Sequence, residues 1–353
     1  MRAFVVSLVS VAFTVLTGAC GGGGGSGTPD GAAPDSRDAP APPVIGELAA
    51  NTWQWIEVPG TTCGNGTPAG FGVNLSTVSD DLFVYVEGGG ACWDANTCFT
   101  AKTAVHIEDT LTAASFDAEL GHPGPVDHAA SPLSFGRATA VFVPYCTGDI
   151  HAGTRVATYG AKEVHHTGAT NMQAFVDALR TRFPAAHTLW IAGSSAGGFG
   201  ATFNFHRFTS AWPTAAAHLL EDSSPFVPLL ANYDAWRTQW NIAYPPSCPG
   251  CEASLPAVFD AVVAAHPTSR IGLLHYDNDA VVRVFFGYST SLVPATDALL
   301  ADHFGHPNTH AFVLAGDQHT MIGRASLVAP DGTRLDTWIL QWADGDAAWR
   351  TVR

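Results

Sequence analysis

Hydrophobic and polar positions divide this chain into strands and helices that alternate over most of its length. Trp53 to Val58 sets large apolar residues against polar ones, the pattern of an edge strand, and Phe71 to Leu75 supplies a partner. Leu82-Phe-Val-Tyr-Val86 and Ala138 to Pro144 are unbroken runs rich in β-branched and aromatic residues, which predicts buried strands. The period then lengthens. Met172, Phe175, Val176, Leu179 and Phe183 fall on one face of a helix over Gly168 to Phe183, and Pro184 stops it. Further strands are expected at Leu189–Ala192, Ala217–Leu220, Ile271–His275 and His310–Leu314. Helices are expected at Ala201–Phe208, Ala257–Ala265 and Ala280–Phe286. Strands that alternate with helices make βαβ units. The chain is therefore assigned to the α/β class, with a central, mostly parallel sheet flanked by helices. The stretch from Tyr233 to Cys251, with Trp236, Trp240 and Tyr244, reads as an insertion over that sheet.

Upstream of Val44 the alternation is absent. Met1-Arg2 carries one positive charge, and Ala3 to Leu16 is an apolar run of signal-peptide length, too short for a comfortable membrane span. Leu16-Thr17-Gly18-Ala19-Cys20 follows, then five glycines. This segment resembles a bacterial lipoprotein lipobox with Cys20 as the lipidated residue, although Thr17 stands where leucine is usual. Thr17 and Ala19 also suit an ordinary signal-peptidase cut. Residues 21–43 are Gly, Ser, Pro, Ala and Asp with almost no large apolar side chain, so they cannot bury a core and read as a flexible tether. The expected division is a signal peptide over 1–20, a linker over 21–43 and one globular domain over 44–353. The expected location is outside the cytoplasm of a bacterial cell, on a lipid anchor or else secreted or periplasmic.

Export changes how the cysteines are read. Without Cys20, six remain: Cys63, Cys92, Cys98, Cys146, Cys248 and Cys251. An even count in an exported chain predicts disulfides. Six cysteines allow fifteen pairings, so sequence alone does not decide; short loops suggest Cys92–Cys98 and Cys248–Cys251, which leaves Cys63–Cys146. A formal net charge of −15 argues against nucleic acid and acidic lipid surfaces as partners. Membrane contact is expected only through the lipid anchor.

The candidate chemistry sits at strand ends, where sites gather in open parallel sheets. Gly193-Ser194-Ser195-Ala196-Gly197 follows the Leu189–Ala192 strand and leads into a helix. That is a G-x-S-x-G nucleophile elbow with Ser195 at its apex. Gly88-Gly89-Gly90 follows the Val86 strand, Asp277 and Asp279 follow the Ile271–His275 strand, and His319 follows the last strand. Serine is a poor nucleophile at neutral pH and needs a base, which His319 can be. A carboxylate must fix the imidazole tautomer. Asp277, Asp279 and Asp222 are the candidates: Asp277 lies closer to its strand end, Asp279 directly precedes a helix, and Asp222 ends the strand after the elbow. Backbone N–H groups of Gly89, Gly90 and Ala196 can bind a developing oxyanion, with Gly88 as the turn. The chain order Ser, Asp, His is that of α/β-hydrolases.

The resemblance extends beyond the elbow. Val84-Tyr-Val-Glu-Gly-Gly-Gly-Ala-Cys-Trp93 resembles the L-E-G-G-G-W-C stretch of the pectin acetylesterase/Notum family of serine ester hydrolases. Pro144-Tyr-Cys-Thr-Gly-Asp149 resembles its Y-C-[DT]-G segment, and Gly193-Ser-Ser-Ala-Gly-Gly198 its G-S-S-A-G-G elbow. Leu220 to Ser223 is similar to its D-[SA]-G strand end. The motifs occur in the same order, and the likeness runs from about Trp53 to the C-terminus. It implies an α/β-hydrolase-like fold for 44–353, a Ser195-Asp279-His319 triad, removal of acyl groups from esters, and disulfides at the post-strand cysteines. Asp279 is favoured because the family's aspartate leads a D-x-x-Q-like helix start. The chain departs from the family at Ala91, which stands for a tryptophan beside the glycines, and at Val282, which stands for the glutamine. The partner implied is an ester substrate, either acetylated polysaccharide or another acylated molecule; no cofactor and no metal are expected.

Two other readings compete. A metal-dependent hydrolase would use His303, His306 and His310, or His151, His165 and His166, but no carboxylate stands at a characteristic metal spacing. Cys248-Pro-Gly-Cys251 has no second C-x-x-C to complete a zinc site. A surface-binding module that kept the fold and lost catalysis would not need Ser195, His319 and the acids intact.

Overall fold

The computed structural model describes residues 45–353 apart from 121–133, Ser247 and Ala325. The segment 1–20 with Cys20 and the linker 21–43 lie outside the described residues. In chain order the strands are β1 (Trp53–Thr62), β2 (Pro68–Asn74), β3 (Leu82–Val86), β4 (Thr139–Val143), β5 (Arg155–Tyr159), β6 (Lys162–His166), β7 (Thr188–Ser194), β8 (Ala216–Asp222), β9 (Ile271–Tyr276) and β10 (Thr309–Leu314). The α-helices are a single turn α1 (Ala113–Ser115), then α2 (Gly168–Arg182), α3 (Ala196–Ala211), α4 (Tyr233–Trp240), α5 (Pro256–Ala265), α6 (Ala280–Phe286), α7 (Val293–His303) and α8 (Leu335–Asp344).

Eight strands form one sheet in the order β1-β2-β4-β3-β7-β8-β9-β10. β2 runs antiparallel to both neighbours, and every pair from β4 to β10 is parallel. This is the mostly parallel sheet flanked by helices that the sequence predicts, an α/β-hydrolase-like fold. The β5–β6 hairpin lies apart from it, and neither it nor α7 and α8 is in the expected set. β3 and β4 are buried at every residue, which explains their unbroken apolar runs.

Register determines where the functional ends meet. Val86 pairs with Gly193, Ser194 with Asp222, and Tyr276 with Leu314. The carboxyl ends of five adjacent strands therefore share one edge, and the loops that leave them share one site. Behind that edge the buried face of α3 packs on β7 and β8. Three disulfides tie the loops: Cys63–Cys146 joins the end of β1 to the turn after β4, Cys92–Cys98 closes the loop after Gly90, and Cys248–Cys251 closes a turn in the insertion. Among the described residues, no helix is long and apolar enough to cross a membrane.

Candidate active site

The turn between β7 and α3 is under backbone strain. Ser195 has φ 56° and ψ −125°, a region that costs a non-glycine residue about 1–3 kcal/mol. The surroundings hold it there. The Ser195 amide donates to Asp222 O at 2.7 Å. A Cβ at Gly193 would lie 2.2 Å from Gly197 O, and one at Gly197 would lie 2.0 Å from Val86 O. Strand, turn and helix touch backbone to backbone, so only glycine fits at both positions. Ser195 occupies the N-cap position of α3, yet its side chain makes no capping bond. The hydroxyl is thus left for other work, unlike that of an ordinary capping serine.

Donors for an anion stand beside it. Gly90 has φ +80°, and a Cβ there would lie 1.9 Å from Thr103 O. The neighbouring chain is pinned by Ala91 N to Thr103 O at 3.1 Å and Val105 N to Gly89 O at 2.9 Å. The N–H groups of Gly89, Gly90 and Ala196 have no acceptor among the described residues. Such free amides at a helix start and a tight turn are suited to negative charge.

The acid candidates separate cleanly. Asp279 is fully buried and its Oδ2 lies 2.7 Å from His319 Nδ1. Its other oxygen caps α6, accepting from Val281 N at 2.9 Å and Val282 N at 3.1 Å. One carboxylate thereby orients the imidazole while the helix start holds the carboxylate. Asp277 is turned elsewhere: its Oδ1 accepts from Gly316 N at 3.1 Å. Asp222 bonds to the chain just beyond His319. Met321 N donates to its Oδ1 at 2.8 Å and Ile322 N to its Oδ2 at 2.9 Å. Thr320 N donates to Ser223 Oγ at 2.9 Å. Burial pushes the Asp222 carboxyl pKa up.

Two adjoining cavities share Gly90, Ser195, Val281, Phe285 and His319. The smaller, about 30 Å³, is apolar and is lined by Ala91, Phe199, Trp236, Phe285 and Phe286. The larger, about 600 Å³, is also mostly apolar but carries polar side chains at Tyr85, Glu87, Thr103 and Thr320. Ser195 and His319 line both, with no hydrogen bond between their side chains. Glu87 is held at the rim by Tyr145 N, which donates to its Oε2 at 2.9 Å, and burial pushes its pKa up to about 7. His151 Nε2 lies 2.8 Å from Glu87 O, and burial pulls that imidazole down to about 4.

Several of the histidines weighed as metal ligands have other partners. His166 bonds Thr147 O and Tyr159 Oη, His303 lies 3.1 Å from Asp260, and His310 packs on Trp349. Three potential ligand atoms converge at Cys92, Cys98 and His166, but the two sulfurs are bonded to each other and cannot act as thiolates. Sequence reasoning did not single out Glu87, Phe199, Phe285 or Phe286 as site residues. It named Trp236 only as part of an insertion. The one signal for Trp236 was the density of aromatic residues in that insertion.

Comparison with known proteins points the same way as the geometry. The sequence model of the family described as Pectinacetylesterase matches residues 51–241, which hold Gly88–Gly90 and Ser195; Asp279 and His319 lie beyond that stretch. A palmitoleoyl-protein carboxylesterase NOTUM from Schmidtea mediterranea is 27% identical over 149 residues, 41% of this chain and 28% of the relative. That from Homo sapiens is 28% identical over 179 residues, 47% of this chain and 34% of the relative. An inactive palmitoleoyl-protein carboxylesterase, notum1b of Danio rerio, is 28% identical over 113 residues, 31% of this chain and 76% of the relative. The chain thus spans about a third of the length of the planarian and human relatives.

Proposed function

Because the chain belongs to the pectinacetylesterase family, we propose that it is a serine carboxylic-ester hydrolase working through Ser195, His319 and Asp279. Ser195 Oγ attacks the acyl carbonyl while His319 Nε2 takes its proton. The carbonyl oxygen becomes an oxyanion, received by the N–H groups of Gly89, Gly90 and Ala196; one such donor is worth about 10²–10³ in rate. Collapse expels the alcohol, which takes the proton from His319. Water, deprotonated by His319, then releases the acid and restores Ser195. Asp279 keeps the Nδ1 proton in place and stabilises the imidazolium. Every step is covered by side chains and backbone amides.

The observation that carries this reading is the 2.7 Å bond between His319 and the buried Asp279 on the wall of the cavity that also holds Ser195. Family membership alone would not carry it, since one relative is named inactive. The test is hydrolysis of a short-chain ester by Ser195→Ala and His319→Ala proteins with unchanged circular dichroism. Each should lose nearly all activity, and ordinary activity in Ser195→Ala would end the reading.

The enzyme acts outside the cytoplasm, tethered through Cys20 and the 21–43 linker, with 44–353 as its catalytic domain. Support comes from the three disulfides, which suit an oxidising compartment, and from the lipobox-like sequence. Metabolic labelling with a fatty acid should mark the wild-type protein and not Cys20→Ala.

A further inference from the structure

The two cavities at Ser195 are unequal, and aromatic side chains, of which Trp236 is the largest, wall the smaller one. Its free space of about 30 Å³ compares with ~150 Å³ for an apolar cavity that takes a benzene ring. A methyl or ethyl group fits such a space, and a long acyl chain does not. The larger cavity, at about 600 Å³, carries Glu87, Thr103 and Thr320 among mostly apolar walls, and it suits the alcohol half of an ester, whose hydroxyls can meet those three side chains. The acyl group is thus left with the apolar pocket.

We propose that Trp236 is the specificity-determining residue of this pocket and limits the acyl group to acetyl-sized chains. The proposal rests on the ester-hydrolase reading above. Trp236 is 2% exposed and stacks on Trp240 with ring centroids 4.7 Å apart. Trp93 lies 5.8 Å away on another side, and Phe286 meets it edge-on at 6.1 Å. Trp240 is itself fixed, since its Nε1 donates to Cys92 O at 2.8 Å and Cys92 is tied to Cys98. The indole is therefore wedged and cannot swing aside to admit a longer chain. Ala91, which also lines the pocket, is too small to set its depth. Trp236 Nε1 has no hydrogen-bond partner among the described residues, so shortening the side chain orphans no polar group there and opens apolar space.

The experiment measures kcat/KM on 4-nitrophenyl acetate, butyrate and octanoate for wild type, Trp236→Phe and Trp236→Ala. One methylene too many in an apolar pocket costs about 10–200-fold. The wild type should prefer acetate over octanoate by at least about 100-fold. The octanoate-to-acetate ratio should rise in Trp236→Phe and rise further, by about 10-fold or more, in Trp236→Ala. If Trp236→Ala does not fold, Trp236→Phe carries the comparison. Equal ratios in wild type and variant, or a wild type that takes octanoate as readily as acetate, overturn the proposal while leaving the esterase reading intact. No hydrolysis of any ester by folded wild type overturns both.

Discussion

The Ser194 hydroxyl donates to Asp222 Oδ2 at 2.8 Å, and through that bond the turn of Ser195 is tied to the loop that carries His319. Tyr85 Oη donates to Ser194 Oγ at 2.9 Å, and Asp222 in turn receives the amides of Met321 and Ile322. Asp222 is thus a positioning residue: it fixes the distance between the Ser195 and His319 backbones without touching either side chain's chemistry. Asp222→Asn replaces one acceptor oxygen by a donor and must break at least one of these bonds. Misplacing a base by an ångström can cost about 100-fold. We expect kcat to fall by about 10–100-fold with KM little changed and the thermal transition retained. Steady-state kinetics beside a melting curve checks this, and wild-type kcat in the folded variant would contradict it.

Asp279 and Asp277 offer a sharper contrast. Only Asp279 reaches His319 Nδ1, whereas Asp277 bonds the Gly316 amide. Asp279→Asn leaves the shape and inverts the hydrogen bond, which favours the wrong imidazole tautomer; the expected loss in kcat is about 10⁴-fold. Asp277→Asn should stay within about 10-fold of wild type. Side-by-side rates with one ester decide the matter, and equal losses would leave Asp279 without its assigned role.

Glu87 gives a pH-dependent prediction for stability. Its folded pKa, about 7, lies above the value of 4.5 for a free side chain. Below pH 4.5 both states hold the proton and the carboxyl costs nothing. As pH rises from 4.5 to 7 the unfolded chain releases the proton first, so the contribution of Glu87 to stability falls through that window and stays low above it. Glu87→Gln should match wild type at pH 4 and exceed it at pH 8 by about 1–3 kcal/mol. Denaturant melts at the two pH values test this. A Gln variant less stable than wild type at pH 8 would show that the charged carboxylate is stabilised and not penalised.

The parts of this protein that are local in sequence were legible there. The elbow could be read because strain at Ser195 demands glycine at positions two residues on either side. The choice of Asp279 over Asp277 was not local in this sense, because it came from the resemblance to a family whose aspartate leads a helix start. The sheet could be read because buried strands such as β3 need unbroken apolar runs. What escaped is what depends on distant contacts. Trp236 could be placed in an insertion from its aromatic neighbours, but that it lines the cavity at Ser195 depends on residues far away in the chain, such as Ala91 and Phe285, which no local pattern brings beside it. The β5–β6 hairpin buries only alternate residues of polar strands, which leaves a weak apolar signal. α8 is a different case. Leu335, Trp338, Ile339 and Trp342 are buried at helical spacing, so the pattern was present, and short runs of that kind are easily passed over.

The most direct measurement is the site of covalent capture. Wild-type protein treated with a fluorophosphonate probe should gain the mass of one adduct, mapped by peptide mass spectrometry to Ser195, and lose its ester hydrolysis in step. Ser195→Ala should take up no label, and its kcat should fall by about 10⁶-fold. A folded wild type that remains unlabelled, or a label that maps away from Ser195 while activity is lost, would contradict the account.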